Sequence, residues 1–103
     1  MLLIREIMHC KPGKVRPMVD KFLAMSKINE KAGLGKMRVM TDFCGEFYWT
    51  IVSEFEVPSM QAFEEMMKGE GMTPEMEKEF GKIMDGYHDL VENGRREIFK
   101  IEG

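Results

Sequence analysis

The chain is poor in cysteine, with only Cys10 and Cys44 in 103 residues. Two thiols cannot supply the disulfide framework that staples small secreted domains, and they fit a reducing compartment. Basic excess is also missing. The formal net charge is −3, whereas a nucleic-acid binder ordinarily shows a strongly basic face. Long hydrophobic runs are absent too: Met1 to Ile4 is apolar, but Arg5 and Glu6 end the run far short of a signal-peptide core or a membrane span. Together these absences predict a cytoplasmic protein with neither nucleic acid nor membrane among its partners. Catalytic signatures are lacking as well. The glycines are dispersed at turns and helix ends, and no nucleophile elbow, phosphate-binding glycine loop or zinc-ligand cluster is present. No cofactor and no metal are expected.

What the sequence does contain is an ordered series of hydrophobic periods. Beta-type patterns fall at residues 2–9, 36–42, 46–57 and 95–101, and helix-type patterns fill the two long gaps. The order β-α-β-β-α-β in a chain of this length predicts a single ferredoxin-like α+β domain spanning 1–103. Its antiparallel four-stranded sheet would take the order 4-1-3-2. Hydrophobic residues make up 44% of the chain, enough to bury a core without disulfides or metal. One layer of helices covers one face of such a sheet. The second face must meet solvent, a ligand or another copy of the chain.

Local signals mark the boundaries. Lys11-Pro12-Gly13-Lys14 is a turn, and Val15, Met18, Val19, Phe22 and Met25 then repeat at helical spacing until Gly33 and Gly35 stop the helix. Thr41 to Gly45 reads as a hairpin turn. In the third strand, Phe47, Trp49, Ile51, Ser53, Phe55 and Val57 share one face, and Tyr48, Thr50, Val52, Glu54 and Glu56 the other. Pro58 ends that strand. Ser59 is a natural N-cap for residues 60–68, and Thr73-Pro74 restarts a helix after Gly69-Glu70-Gly71. The inner stripe of that helix runs from Met76 through Phe80, Ile83, Met84 and Tyr87 to Val91, and Asn93-Gly94 is expected to close it.

Charge is unevenly spread. Residues 1–53 carry nine Lys/Arg against five Asp/Glu, and residues 54–103 carry six against thirteen. The excesses fall largely on the first helix and on the second helical region, which this fold sets side by side, so neighbouring solvated faces attract weakly.

The chain resembles the dimeric α+β barrel superfamily, the group holding NIPSNAP-like proteins and the small antibiotic-biosynthesis-type monooxygenases. The resemblance rests on Arg5-Glu6-Ile7 with Lys11-Pro12-Gly13-Lys14-Val15, on Val57-Pro58-Ser59-Met60-Gln61-Ala62-Phe63, and on Gly94-Arg95-Arg96-Glu97-Ile98-Phe99. It implies a homodimer whose sheets pack face to face into a barrel, with a small apolar or aromatic molecule bound in each protomer. Haem-degrading members of that superfamily use an asparagine on the first strand, a tryptophan early in the second helical region and a histidine further along. Here the strand carries Glu6, the helix offers Met66 and Met67, and only His88, late in the helical region, could play the histidine. The pattern does not fit haem degradation.

Within that frame, the polar residues of the second sheet face are the candidate ligand-binding groups. Tyr48 and Glu54 are expected to point toward the barrel interior with Arg5 and His9, joined by Arg38 and Arg96 from the flanking strands. Tyr48 and Glu54 are six residues apart, about 20 Å along a strand, so they cannot serve one small site together. Tyr48 and His9, at the same end, are the favoured pair. Cys10, Cys44 and His9 gather at that end as well, but their spacing matches no redox or metal motif and they read as unrelated groups. Twelve methionines are a large excess. Methionine fills irregular gaps and makes adaptable apolar surface, so a plastic core or a greasy ligand pocket accounts for them without metal. Two functions compete: a NIPSNAP-like binder of a small apolar or aromatic molecule, and a small cofactor-independent monooxygenase or isomerase acting on an aromatic or lipid-like substrate. Catalysis would also require an acid or base of shifted pKa beside the substrate.

Overall fold

A computed structural model describes all 103 residues. The elements are β1 (Leu2–Cys10), α1 (Val15–Lys31), β2 (Arg38–Thr41), β3 (Thr50–Val57), α2 (Met60–Met67), α3 (Pro74–Met84), a 3-10 turn over Tyr87–Asp89, and β4 (Val91–Lys100). The sheet is antiparallel in the order β2-β3-β1-β4, the arrangement of a ferredoxin-like α+β fold.

Helix starts follow the capping chemistry written in the sequence. The Ser59 hydroxyl accepts the Ala62 amide at 3.1 Å, and the Thr73 hydroxyl accepts the Met76 amide at 3.2 Å. Pro74 occupies the first turn of α3, where its missing N–H costs nothing. The core has two parts on one face of the sheet. Met18, Val19 and Phe22 of α1 cover Cys10 and Ile51, and Phe63 of α2 packs with Ile4 and Val57. Burying side chains of this size stabilises the fold by about 1.5–3 kcal/mol each. No residue of α3 is fully buried, and this helix packs chiefly against α1. Its C-terminal end is held from α1: the Lys21 ammonium donates to the carbonyls of Ile83 at 2.6 Å and Asp85 at 2.8 Å. No ion pair joins the basic helix to the acidic one, and the charged contact between them is this lysine on helix-end carbonyls.

Three expectations from sequence need correction. The third strand begins at Thr50, not at residue 46. The Thr50 amide donates to the Asp42 carboxylate at 2.8 Å, and the Asp42 amide to the Thr50 carbonyl at 3.1 Å, which closes the loop between them. Just before Thr50, Trp49 takes a left-handed conformation (φ 60°), which breaks the pleat. The stripe through Tyr87 and Val91 is not one helix either: α3 ends at Met84, Gly86 takes φ 78°, and the last strand begins at Val91. Asn93-Gly94 therefore stops nothing. It lies inside β4 opposite His9 and Met8, where a Cβ on Gly94 would sit 3.1 Å from the Ile7 carbonyl oxygen and 3.3 Å from Met8 Cγ. Glycine is there for close strand approach. Third, Arg96 lies opposite Glu6 on the helix side of the sheet, and it is Arg95 that belongs to the other face.

Candidate functional site

The sheet divides the functional candidates between two concavities. On the helix-free face, four residues stand in register across all four strands: Arg38 of β2, Glu54 of β3, Arg5 of β1 and Glu97 of β4. Their signs alternate. Arg5 Nε meets Glu54 Oε2 at 2.6 Å, Glu97 lies 3.6 Å from Arg5 and 3.2 Å from Arg95, and the Arg5 guanidinium sits 5.0 Å from the centre of the Phe99 ring. The adjacent row is Met40, Val52, Ile7 and Arg95, and beyond it His9 Nδ1 lies 3.2 Å from the Thr50 hydroxyl. With the loop residues Asp42, Cys44 and Phe47 these groups, Arg38 and Phe99 excepted, line an open depression of about 370 Å³.

Three of the four residues favoured from sequence, Arg5, His9 and Glu54, thus line one depression. Tyr48 does not join them. It stands in the loop ahead of β3, 86% exposed, and the aromatic partner of His9 is Phe47, edge-on at 4.9 Å between centroids. Because β3 starts at Thr50, the strand alternation that would have aimed Tyr48 inward does not reach it. Cys44 is exposed on the same loop, whereas Cys10 is buried in the core on the helix side. Burial first, and the Asp42 carboxylate second, push the Cys10 thiol above its ordinary pKa and keep it protonated at neutral pH. No cluster of three or more His, Cys, Asp or Glu side chains is arranged to hold a metal ion.

The second concavity lies between the sheet and the helices and has about 410 Å³ of free volume. Its floor is built by Glu6 and Met8 of β1, Ser53 and Phe55 of β3, and Arg96 of β4. Phe22, Met25 and Asn29 of α1 form one wall, and Glu77, Phe80 and Met84 of α3 the other. Two sequence features open this space. Ser53 puts a small side chain on the β3 face between Ile51 and Phe55, and α3 leans on α1 instead of settling onto the strands. Met37, Met66, Met67 and Met72 complete the lining, so that seven of the chain's twelve methionines face one cavity. Within the floor Glu6 pairs with Arg96, whose guanidinium also rests 5.1 Å from the centre of the Phe63 ring. His88 is not part of this lining: it stacks on Tyr87, with ring centres 3.9 Å apart.

The cavity is partly legible in the methionine excess. Its location is not, because it depends on Glu6 and Arg96 both facing the helices, which only the register of β4 on β1 decides.

Neither a protein-family model nor a curated protein matches the chain by sequence. Solved structures do match in shape. A NIPSNAP-like domain protein from Burkholderia xenovorans superposes with a TM-score of 0.74 at 13% identity, over 98% of this chain and 84% of its own. A NIPSNAP family protein of unknown function from Agrobacterium tumefaciens gives 0.73 at 17% identity, over 98% and 87%. An antibiotic biosynthesis monooxygenase gives 0.72 at 12% identity over the whole of both chains. The chain shares their fold. This is the protomer fold that the sequence resemblance implied, and at such identities the likeness extends to the fold alone. No helix is long and apolar enough to cross a membrane.

Proposed function

We propose that the protein binds a small, largely apolar or aromatic molecule in the methionine-lined cavity between its sheet and helices, and that it does so as a homodimer. One observation carries the binding reading. A cavity of about 410 Å³, lined largely by methionine and phenylalanine with the Glu6–Arg96 pair in its floor, is the kind of site that takes small organic ligands. Thioethers are flexible and polarizable and make favourable contacts with aromatic rings, so this lining adapts to a flat apolar molecule. Ser53, Asn29 and Arg96 offer a few polar groups to orient it.

The helix-free face supports the homodimer. Its row Arg38, Glu54, Arg5, Glu97 alternates in sign. A two-fold axis parallel to the strands reverses the row, so each charge meets its opposite: Arg38 faces Glu97 of the other copy, and Arg5 faces Glu54. The neighbouring row of Met40, Val52 and Ile7 supplies apolar contact beside the charges. The dimer therefore covers the depression holding Arg5, His9 and Glu54, and leaves the methionine cavity of each protomer free. Two unpaired thiols support a reducing, cytoplasmic setting.

Native mass spectrometry of the purified protein tests both parts. The reading expects a dimer mass carrying up to two equivalents of a co-purifying or added apolar molecule. A monomer at micromolar concentration contradicts the dimer, and failure to retain any apolar or aromatic molecule from a small panel contradicts the binding.

A further inference from the structure

We propose that the methionine cavity is an oxidation-sensitive site, in which a peroxide converts the lining thioethers to sulfoxides and thereby excludes the apolar ligand. This rests on the reading of that cavity as the ligand site.

Seven thioethers share one space of about 410 Å³, and every one of them is at least partly exposed, Met67 most of all at 56%. Met18 is a built-in contrast: it packs in the core outside this cavity and is 0% exposed. A small oxidant therefore reaches the cavity sulfurs without unfolding the chain and does not reach Met18.

The step is an oxygen transfer. The sulfur lone pair attacks one peroxide oxygen, the O–O bond breaks, and the sulfur loses two electrons to become a sulfoxide. The other oxygen leaves as water after taking up the hydroxyl proton. Each event replaces a polarizable apolar atom by a strong hydrogen-bond acceptor. Few donors line the cavity: the Ser53 hydroxyl, the Asn29 amide and the Arg96 and Lys68 cations. Sulfoxides out of reach of these groups draw in water, and an apolar molecule loses apolar contact surface. A dithiol reductant of the methionine sulfoxide reductase class reverses the change, giving back the thioether and releasing water as its two thiols become a disulfide.

The experiment titrates the protein with 1-aminoanthracene, a fluorescent apolar probe, before and after hydrogen peroxide, and maps sulfoxides by peptide mass spectrometry. Cavity methionines are expected to oxidise ahead of Met18, with probe affinity falling by about tenfold or more while circular dichroism is unchanged. Reduction by methionine sulfoxide reductase restores the affinity. A variant with Met66, Met67 and Met72 replaced by leucine, compared with itself before and after peroxide, loses a smaller fraction of its probe affinity than the parent protein does. Undiminished affinity with the cavity sulfurs oxidised overturns the proposal alone. An untreated protein that never takes up the probe overturns the ligand site and the proposal with it.

Discussion

Replacing Lys21 by methionine removes the ammonium that ties α1 to the end of α3 while keeping most of the aliphatic stem. The lost contacts are two charge-assisted hydrogen bonds, to the Ile83 carbonyl at 2.6 Å and the Asp85 carbonyl at 2.8 Å. Hydrogen bonds to charged groups contribute about 1.5–3 kcal/mol each when shielded. Only the Ile83 contact is partly buried and counts near the low end of that range, whereas the Asp85 contact is exposed and screened and adds about 0.5 kcal/mol. Lys21→Met should therefore lower the unfolding free energy by about 2 kcal/mol, or about 10 °C in Tm for a domain of this size. Because α3 has no fully buried residue of its own, the loss should be felt first there. Urea denaturation reads the global term, and amide hydrogen exchange reads the local one, as faster exchange across 77–84 with β1 and β3 unaffected. A loss below about 0.5 kcal/mol with unchanged exchange in α3 would refute the reasoning that this lysine holds the wall of the cavity.

Three further outcomes are expected. Gly94→Ala should cost about 1–2 kcal/mol, because its Cβ meets the Ile7 carbonyl oxygen at 3.1 Å, and Gly94→Val more; thermal denaturation that ranks the two near wild type would contradict the close-approach account. Cys44 should react with a thiol reagent in the folded protein at neutral pH and Cys10 only after unfolding, as read by mass spectrometry; the raised Cys10 pKa further means that stability is full below the unfolded thiol value and declines as alkaline pH rises from there toward the folded value, a loss absent in Cys10→Ala. Arg38→Glu and Glu97→Arg should each weaken self-association, and mixing the two variants should restore a heterodimer, since the reversed charge row then matches again; analytical ultracentrifugation of the mixture showing only monomers would exclude the two-fold axis along the strands.

Much of the fold could be read directly from the residues. Period-two alternation in β3, the Ser59 and Thr73 caps, Pro74 and the glycines after α1 all act locally, so their meaning does not depend on the rest of the chain. The errors lie where a distant contact decides. Gly94 has the look of a helix stop, yet its purpose is set by β1 across the ladder. The loop before β3 reads as strand by its aromatics, but Asp42 on the far side of the turn captures Thr50 and ends the pairing there. β4 carries charge and apolar side chains on both faces, with Ile98 opposite Ile4 and Phe99 opposite Leu3, so its parity could not be fixed without the register of β1. The methionine cavity is a further case. Composition signalled a soft apolar surface, but the space exists because Ser53 is small and α3 leans away from the sheet, and neither effect is local.

The central claim is that an apolar ligand occupies the cavity between sheet and helices, and methionine methyl groups report on it directly. With all twelve methionines labelled at the methyl carbon, seven probes lie in the cavity and Met1, Met18, Met40, Met60 and Met76 lie outside it. Met40 lines the depression on the opposite face of the sheet. In a two-dimensional carbon–proton spectrum recorded during titration with 1-aminoanthracene, the cavity methyl signals should shift together while Met40 and Met18 stay in place. A shift of Met40 with the cavity signals unmoved would put the ligand on the face that holds Arg5, His9 and Glu54, and would contradict the account.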